Sequence, residues 1–175
     1  YENGDVYEGD FKRGKMHGSG SYIFVNGNEY HGEWKNDKME GEGIYSSANG
    51  NYYEGVFSDG KLNGKGTFRS SIGETYKGEW ENGKMHGRGL YIFSNGNRYD
   101  GEWIYDKRTG YGIYSYINGD LYEGLFIDGM RNGKGTFRYA NGDLYIGNWV
   151  SDHANGRGEY YYENGDSYTG NWVDH

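Results

Sequence analysis

The sequence contains no cysteine and no proline. The absence of cysteine excludes a disulfide framework and favours a reducing, cytoplasmic setting. No apolar stretch near the start resembles a signal peptide, and no apolar run is long enough to span a bilayer. Because the first residue is not methionine, we expect a fragment of a longer protein, whose targeting segment can lie outside these residues.

Aliphatic side chains are also scarce. Hydrophobic residues make up 34% of the 175 residues, and more than half of that share is aromatic, at 19%. This is too little for a closed aliphatic core. Disordered chains lack aromatic residues and are rich in proline, whereas this chain has 21 tyrosines and no proline. The composition therefore indicates an ordered chain whose apolar contacts are made by rings.

Two classes of function are disfavoured by what the chain lacks. A net charge of −8 does not provide the basic surface that nucleic acid binding requires, so we expect no nucleic acid partner. A hydrolase site requires a nucleophile, a histidine and a carboxylate that converge. The five histidines are instead scattered along the chain, so we predict that it is not an enzyme.

One motif recurs at a fixed interval. Tyrosine, followed by glycine two residues later and by an aromatic residue four residues later, occurs every 23 residues, at Tyr7, Tyr30, Tyr53, Tyr76, Tyr99, Tyr122, Tyr145 and Tyr168. With each of these tyrosines at position 0, all 34 glycines fall at positions +2, +7, +11, +13 or +20, and all five tryptophans at +4. Such a period indicates a repeat array.

Each repeat has the pattern of a β-hairpin. From position −2 to +5, rings and glycines alternate with mainly charged side chains. From +11 to +17 the pattern Gly-x-Gly-x-ring repeats this alternation. A period of two residues is typical of half-buried strands. Turns such as Asn82-Gly83 separate the strands, and Asn-Gly pairs such as Asn26-Gly27 supply the positive φ angles of tight turns. We predict an all-β fold, an elongated array of successive hairpins forming one twisted antiparallel meander of about 15 strands, with rings over glycines.

The sequence of residues 76–89, Tyr-x-Gly-x-Trp followed by Gly-Lys-Met-His-Gly-x-Gly, resembles the MORN (membrane occupation and recognition nexus) repeat. The resemblance covers residues 1–175 as a single array of about seven and a half repeats. Departures occur at Ile72, which replaces a turn asparagine, and at residues 153–155, which replace Lys-Met-His. The chain is most similar to the repeat-only MORN scaffold proteins of apicomplexan and related protists.

This resemblance implies a non-catalytic structural scaffold and protein-interaction module without a cofactor. Its expected partners are itself and other cytoskeletal or scaffold proteins, in a cytoskeletal or cell-division assembly in the cytoplasm. Two alternatives stay open: recognition of phosphoinositides at the membrane periphery, and regulation of an enzyme domain outside the fragment. The positions that the motif does not fix must distinguish among these functions.

Position +8 carries a column of lysines, the candidates for lipid headgroup binding: Lys15, Lys38, Lys61, Lys84 and Lys107. In the predicted array these lysines follow one hairpin rim at about 10 Å intervals, close to the Debye length, and can attract phosphoinositide headgroups together. The competing interpretation is a solvated rim that keeps the array soluble, and the acidic residues on adjoining strands favour it.

The face opposite the rings changes character along the chain. At position +5, Lys12, Lys35, Ser58 and Glu81 are followed by apolar residues, and neighbouring columns of this face follow the same trend. An exposed apolar patch of this extent usually marks a protein contact. We therefore predict a homodimer through the carboxy-terminal repeats, through this face or the open edge strand 166–172, with these candidates: Ile104, Leu121, Leu125, Ile127, Leu144, Ile146, Val150 and Val173. The competing interpretation is that a segment of the protein outside these residues covers the patch.

The last two hairpin tips contain Asp-His pairs, at Asp152-His153 and Asp174-His175. Carboxylate and imidazole groups are zinc ligands, so two copies of this end can together supply an intermolecular zinc site. The competing interpretation is that these are ordinary solvated loop residues, and it is the stronger of the two.

Overall fold

The structure, a computed structural model, describes residues 2–173. These residues form fifteen β-strands and no helix, and the strands follow chain order in one antiparallel meander sheet, which confirms the predicted fold class. Backbone contacts divide the chain into two compact units, unit 1 (Tyr1–His86) and unit 2 (Gly87–His175). That residues 1–175 are one array within a longer protein stays a prediction.

The strands of unit 1 are β1 (Val6–Lys12), β2 (Lys15–Ile23), β3 (Glu29–Lys35), β4 (Lys38–Ser46), β5 (Tyr52–Ser58), β6 (Lys61–Arg69) and β7 (Thr75–Glu81). The division between the units falls within β8 (Lys84–Ile92). The other strands of unit 2 are β9 (Arg98–Ile104), β10 (Lys107–Ser115), β11 (Leu121–Ile127), β12 (Met130–Arg138), β13 (Leu144–Val150), β14 (His153–Tyr161) and β15 (Ser167–Trp172).

One face of each unit, the ring face, holds the anchor tyrosines and the aromatic residues at +4. Tyr30 is fully buried, and its ring meets Trp34 and Phe57 edge-on, with centroids 5.1 Å away in both cases. Its hydroxyl donates a hydrogen bond to the Glu33 carbonyl at 3.1 Å. Burial raises the pKa of this hydroxyl, because the phenolate would lose its hydration.

The tyrosine ring needs the glycines beneath it. Gly32 pairs directly with Gly43 across β3 and β4. A Cβ atom on Gly32 would lie 2.5 Å from the Tyr30 hydroxyl and 2.6 Å from the Gly43 Cα atom, distances that no packed carbon atom can adopt. The same arrangement recurs in unit 2, where Tyr99 lies over Gly101 and Gly112. The predicted core of rings over glycines is therefore confirmed.

The two kinds of turn differ in backbone geometry. At the hairpin tips both central residues have positive φ, as in Asp59-Gly60 with 51° and 81°, which is the two-residue turn that twisted hairpins favour. In the Asn-Gly turns between repeats only the glycine has positive φ, 83° at Gly27. The side chain of Asn26 accepts a hydrogen bond from the Asn28 amide at 3.1 Å, so asparagine helps to close the turn although its own φ is not positive.

In most repeats position −2 links one of these turns to the next one along the chain. The Asn97 side chain accepts a hydrogen bond from the Ile117 amide at 2.9 Å and donates one to the Tyr114 hydroxyl at 3.1 Å. Asp143 has the same role, because its carboxylate accepts bonds from the Glu163 amide at 2.9 Å and the Tyr160 hydroxyl at 2.8 Å. Successive repeats are thus held together by side chains as well as by strand pairing.

The opposite face of each unit, the free face, carries positions −1, +1, +3 and +5 of the first strand and +10, +12, +14 and +16 of the second. The second strand begins at +8, three residues earlier than the sequence pattern predicts. Consequently position +9 lies on the ring face, where Met16 and Leu62 are buried.

The ring-over-glycine contact predicts that Gly32→Ala lowers the free energy of unfolding by about 3 kcal/mol, because the added methyl group must displace Tyr30 or the facing strand. Gly73→Ala is the matched control in unit 1, since Gly73 has positive φ and open space around it. The Gly73→Ala variant adds backbone strain but no contact with a ring, and it should lower the free energy of unfolding by roughly 1–2 kcal/mol. Urea denaturation of both variants measures the difference, and equal losses would contradict this explanation of the core.

The link at position −2 predicts a pH effect. The amide and hydroxyl hydrogen bonds lower the pKa of Asp143 below that of a free carboxyl. Because its folded pKa is depressed, Asp143 stabilises the fold above the unfolded pKa, near 3.9, and this contribution is lost as pH falls through the folded pKa. In Asp143→Asn we expect near-normal thermal stability at pH 7, since Asn97 makes the equivalent bonds, and a smaller loss of stability in acid.

Asp100→Asn is the control for that measurement, because Asp100 is exposed and the described residues offer it no hydrogen-bond partner. Thermal melts of the three proteins between pH 2 and 7 provide the comparison. If thermal stability falls in acid by the same amount in the parent and in Asp143→Asn, protonation of the Asp143 carboxyl does not weaken this link.

Candidate interaction surface

The eight predicted interface residues all lie on the free face of unit 2. Leu125 and Ile127 on β11 are 43% and 57% exposed, and Ile146 and Val150 on β13 are 42% and 51% exposed. Ile104 and Val173 are exposed as well, whereas Leu121 and Leu144 are half-buried. The structure therefore brings the candidates onto one face, and their role in dimerisation stays a prediction.

Three further residues, which the sequence pattern had not singled out, extend this surface. Tyr111 and Ile113 on β10, and Tyr161 on β14, are exposed on the free face. Tyr111 lies directly opposite Leu125 in the strand register. Strand alternation could have identified them, because positions +12, +14 and +16 alternate with the glycines of the second strand and therefore lie on the free face. We call the eight predicted residues together with these three the apolar surface.

A shallow depression of about 330 Å³ lies within this surface, and it is lined by Tyr111, Glu123, Gly124, Lys134, Gly135, Thr136, Ile146, Gly147, Asn148 and Arg157. It contains charges of both signs, with Glu123 on β11, Lys134 on β12 and Arg157 on β14. The Tyr111 hydroxyl donates a hydrogen bond to Glu123, and this bond raises the pKa of Tyr111. The depression thus combines the apolar side chain of Ile146 and the ring of Tyr111 with charges of both signs.

The two units differ most at position +5 of the free face. This column holds Lys12, Lys35, Ser58 and Glu81 in unit 1 and Ile104, Ile127, Val150 and Val173 in unit 2. Positions +1 and +3 are charged in unit 1 except for His31 and Val56, and in unit 2 only Ile146 and Leu125 are apolar at these positions. The free face is therefore more apolar in unit 2, and the difference arises in columns that the ring core does not fix.

The lysine column is exposed, as predicted, but several of its members are paired with acids of the following hairpin tip. Lys38 contacts Asp59, Lys107 lies 2.7 Å from Asp128, and Lys15 lies 4.0 Å from Asp37. The contact with Lys38 lowers the pKa of Asp59. These pairs reduce the charge that the column offers to a lipid headgroup, and lipid binding by the five lysines stays a prediction.

The family model of the MORN repeat matches residues 7–29, 30–52, 53–75, 76–98, 99–121, 122–144 and 145–167. The chain belongs to the MORN-repeat family. The seven matched repeats follow one another without a gap and have the same 23-residue register as the anchor tyrosines. The family predicted from the sequence is therefore confirmed.

The MORN array is similar in fold to two solved structures. One is the SAS-4 TCP domain of Drosophila melanogaster in complex with a proline-rich motif of Ana2, with a TM-score of 0.54, 16% identity, and coverage of 87% of this chain and 83% of that chain. The other is the G-box domain of the microcephaly protein CPAP, with a TM-score of 0.51, 14% identity, and coverage of 97% and 100%. Among curated proteins, none matches this chain.

Two MORN repeats of unit 2 carry arginine at position +9, where other repeats have methionine, leucine or alanine. Arg108 lies over the Tyr114 ring, with its guanidinium carbon 5.1 Å from the centroid. Arg131 lies over Trp149 at 4.2 Å, and its Nε atom is 3.1 Å from the Asp152 carboxylate. These guanidinium groups close the end of the ring face by cation–π contacts, which the sequence pattern did not predict.

This pairing bears on the zinc candidates. The carboxylate of Asp152 already accepts hydrogen bonds from the backbone amide and Nε of Arg131, whereas His153 is exposed. Asp174 and His175 lie outside the described residues. Within residues 2–173 no three histidine or acidic side chains are grouped to hold a metal ion. An intermolecular zinc site stays a prediction, and zinc would have to compete with Arg131 for Asp152.

The described part of the chain contains no helix with the length and apolar character needed to cross a membrane.

The Arg131–Asp152 pair predicts a measurable coupling. The Arg131 side chain is 17% exposed, so Asp152→Asn leaves a largely buried charge without its carboxylate and should cost about 1–2 kcal/mol of unfolding free energy. Asparagine also suits the positive φ of 72° at this position, so the backbone is not strained. Arg131→Met restores the residue type of other repeats and should be nearly neutral.

In the Arg131→Met background, Asp152→Asn should then have little effect. A double-mutant cycle by chemical denaturation measures this coupling. Additive losses would show that the pair does not act as a unit.

Proposed function

We propose that this MORN array is a non-catalytic scaffold and protein-interaction module that self-associates through the apolar surface of unit 2. The observation that supports this proposal is the contrast between the two units at position +5: this column is polar in unit 1, and in unit 2 it holds four exposed apolar residues, Ile104, Ile127, Val150 and Val173. Exposed apolar side chains gathered on one face usually mark a protein contact, and here they lie on β11 and β13 on both sides of the polar residues of β12.

A second copy of the chain is the partner that the charges favour. Glu123 and Arg157 lie on β11 and β14, on opposite sides of the depression, with β12 and β13 between them. A two-fold axis that passes between β12 and β13 and is inclined to the strands can place Glu123 of each copy against Arg157 of the other, because Arg157 lies two residues away from the row of Glu123 in the register. Such a symmetric contact pairs both charges and buries Leu125 and Ile146 together, which is the commonest arrangement in homodimers.

The two solved structures of the same fold support an assembly role, in the cytoplasm and associated with the cytoskeleton. The SAS-4 domain was solved in complex with a segment of another protein, Ana2, and the CPAP domain is linked to centriole elongation. One of these domains is thus known in a complex with another protein, and the other is linked to the growth of a cellular structure. We propose the same class of role for this chain, in a cytoskeletal or cell-division assembly.

The proposal predicts that Leu125→Asp with Ile146→Glu raises the dimer dissociation constant by at least about 100-fold, because charges replace apolar side chains at the centre of the contact. The fold should tolerate both changes, since Asp10 and Glu54 occupy the same columns in unit 1. Sedimentation equilibrium at several protein concentrations measures the constant.

Val56→Asp is the matched control, because Val56 is the apolar residue at position +3 of unit 1 and lies outside the proposed contact. It should leave the dimer unchanged. A parent protein that is monomeric at tens of micromolar, or a doubly substituted protein that dimerises like the parent, would contradict the proposal.

A further inference from the structure

The third MORN repeat lacks a ring on each side of its anchor tyrosine. In five of the seven matched repeats position +17 is aromatic, with these residues: Phe24, Phe93, Tyr116, Tyr139 and Tyr162. In the second and third repeats it is Ser47 and Ser70. Where the ring is present it packs against the rings at +15, as Phe24 does with Tyr22 at 4.5 Å and Tyr45 at 6.1 Å. The third repeat alone has serine both before and after its anchor.

Tyr53, the anchor of this third repeat, does not take the position of other anchor tyrosines. It is half-buried, whereas five others are at most 1% exposed: Tyr30, Tyr76, Tyr99, Tyr122 and Tyr145. A Cβ atom on Gly66 would meet the ring of Trp80 at 3.1 Å instead of the anchor ring. The Tyr53 ring lies 4.9 Å from Phe68 and 6.2 Å from Tyr45. Its hydroxyl has no hydrogen-bond partner among the described residues.

Trp80 is altered as well. At the same position of other repeats, the indole nitrogens of Trp34 and Trp103 donate to the carbonyls of Gly20 and Gly89 at 3.2 Å and 3.0 Å. The Trp80 Nε1 atom is buried and has no hydrogen-bond partner in the described part of the chain. A buried donor without an acceptor costs free energy. The third repeat therefore leaves unpaired two polar groups that other repeats satisfy.

A matched pair of segments shows what accompanies this difference. Residues 52–69 and 121–138 share the anchor tyrosine, the glycines and phenylalanine at +4. In the second segment Tyr122 lies over both facing glycines, and its hydroxyl donates a hydrogen bond to a backbone carbonyl at 3.1 Å. The residue that precedes the second segment in the place of Ser47 is Tyr116. A ring at this place thus accompanies the buried position of the anchor.

The place without a ring opens onto a depression of about 370 Å³ on the ring face of unit 1. Its lining includes Met39, Tyr45, Ser47, Tyr53, Phe57 and Lys61. Lys61 is exposed, and none of the described carboxylates lies within ion-pair distance of it, since the neighbouring Asp59 contacts Lys38 instead. The depression therefore offers apolar contacts for a ring and a cation beside them.

We propose that this depression binds an aromatic side chain of a partner protein, in the place that Ser47 does not fill. The chain itself indicates the occupant, because the same place holds phenylalanine or tyrosine in five other repeats. The ammonium group of Lys61 favours a partner segment with a carboxylate next to the ring. On binding, we expect Tyr53 to move over its glycines and the Trp80 indole to donate to a backbone carbonyl. The site lies in unit 1, so it is independent of the proposed self-association through unit 2.

The test titrates the whole chain with the blocked tripeptide N-acetyl-Glu-Phe-Glu-amide, while the indole N–H resonances of the five tryptophans are followed by NMR. The Trp80→Phe variant assigns the resonance of Trp80. We expect a saturable downfield shift at Trp80, because its N–H gains an acceptor. The Glu-Ala-Glu and Lys-Phe-Lys counterparts of the peptide should bind at least about tenfold more weakly, since each lacks one of the two contacts.

Ser47→Tyr fills the depression with the residue type of Tyr116. It should weaken peptide binding at least about tenfold and give the Trp80 resonance its bound position without peptide. Ser58→Tyr is the matched control, because it adds the same side chain to the free face of the same unit, and it should retain binding.

A second pair of variants tests the charge. Lys61→Glu should reverse the preference between the Glu-Phe-Glu and Lys-Phe-Lys peptides, whereas Lys65→Glu, at an exposed position of the free face, should not. The absence of a saturable shift at Trp80 in the parent, or equal binding by the parent and Ser47→Tyr, would overturn the proposal.

Discussion

The close approach of a tyrosine ring to a pair of facing glycines is the contact on which this array depends. In the repeats of Tyr7, Tyr30, Tyr99, Tyr122 and Tyr145 the ring lies where the side chains of positions +2 and +13 would otherwise be, so both positions must be glycine. The ring hydroxyl is satisfied by a backbone carbonyl, as for Tyr30 and Glu33. The repeat of Tyr53 departs from this arrangement, since a Cβ atom on Gly66 would meet Trp80 instead. The residue at +4 packs edge-on against the ring. A single sheet can thereby bury large apolar side chains without a second layer, which explains how a chain with so few aliphatic residues folds.

This core also determines where variation is tolerated. Rings and glycines occupy the ring face, so the free face and the hairpin tips can change without loss of the fold. Unit 1 uses that freedom for charged residues, and unit 2 uses it for apolar residues such as Leu125. Function in such an array therefore resides in columns that the repeat motif leaves unspecified.

The sequence predicted the family, the fold class and the ring core, because the tyrosine period and the glycine register reflect one short-range contact repeated along the chain. It also placed Leu125 and Ile146 on one face, since strand alternation is strict. It did not predict the guanidinium of Arg131 among the rings, because the pattern does not reveal that the second strand starts at +8. Nor did it predict the Lys107–Asp128 pair, which joins residues 21 positions apart on successive tips.

The central claim is that unit 2 buries its apolar surface against a second copy of the chain. Hydroxyl-radical footprinting of dilute and concentrated protein tests it most directly, because it reports the exposure of individual side chains. We predict that Leu125, Ile127, Ile146 and Val150 lose reactivity as concentration rises, while Val6, Val25 and Ile72 of unit 1, which are also exposed, do not. Reactivity that is independent of concentration, or that falls equally in both units, would contradict the account.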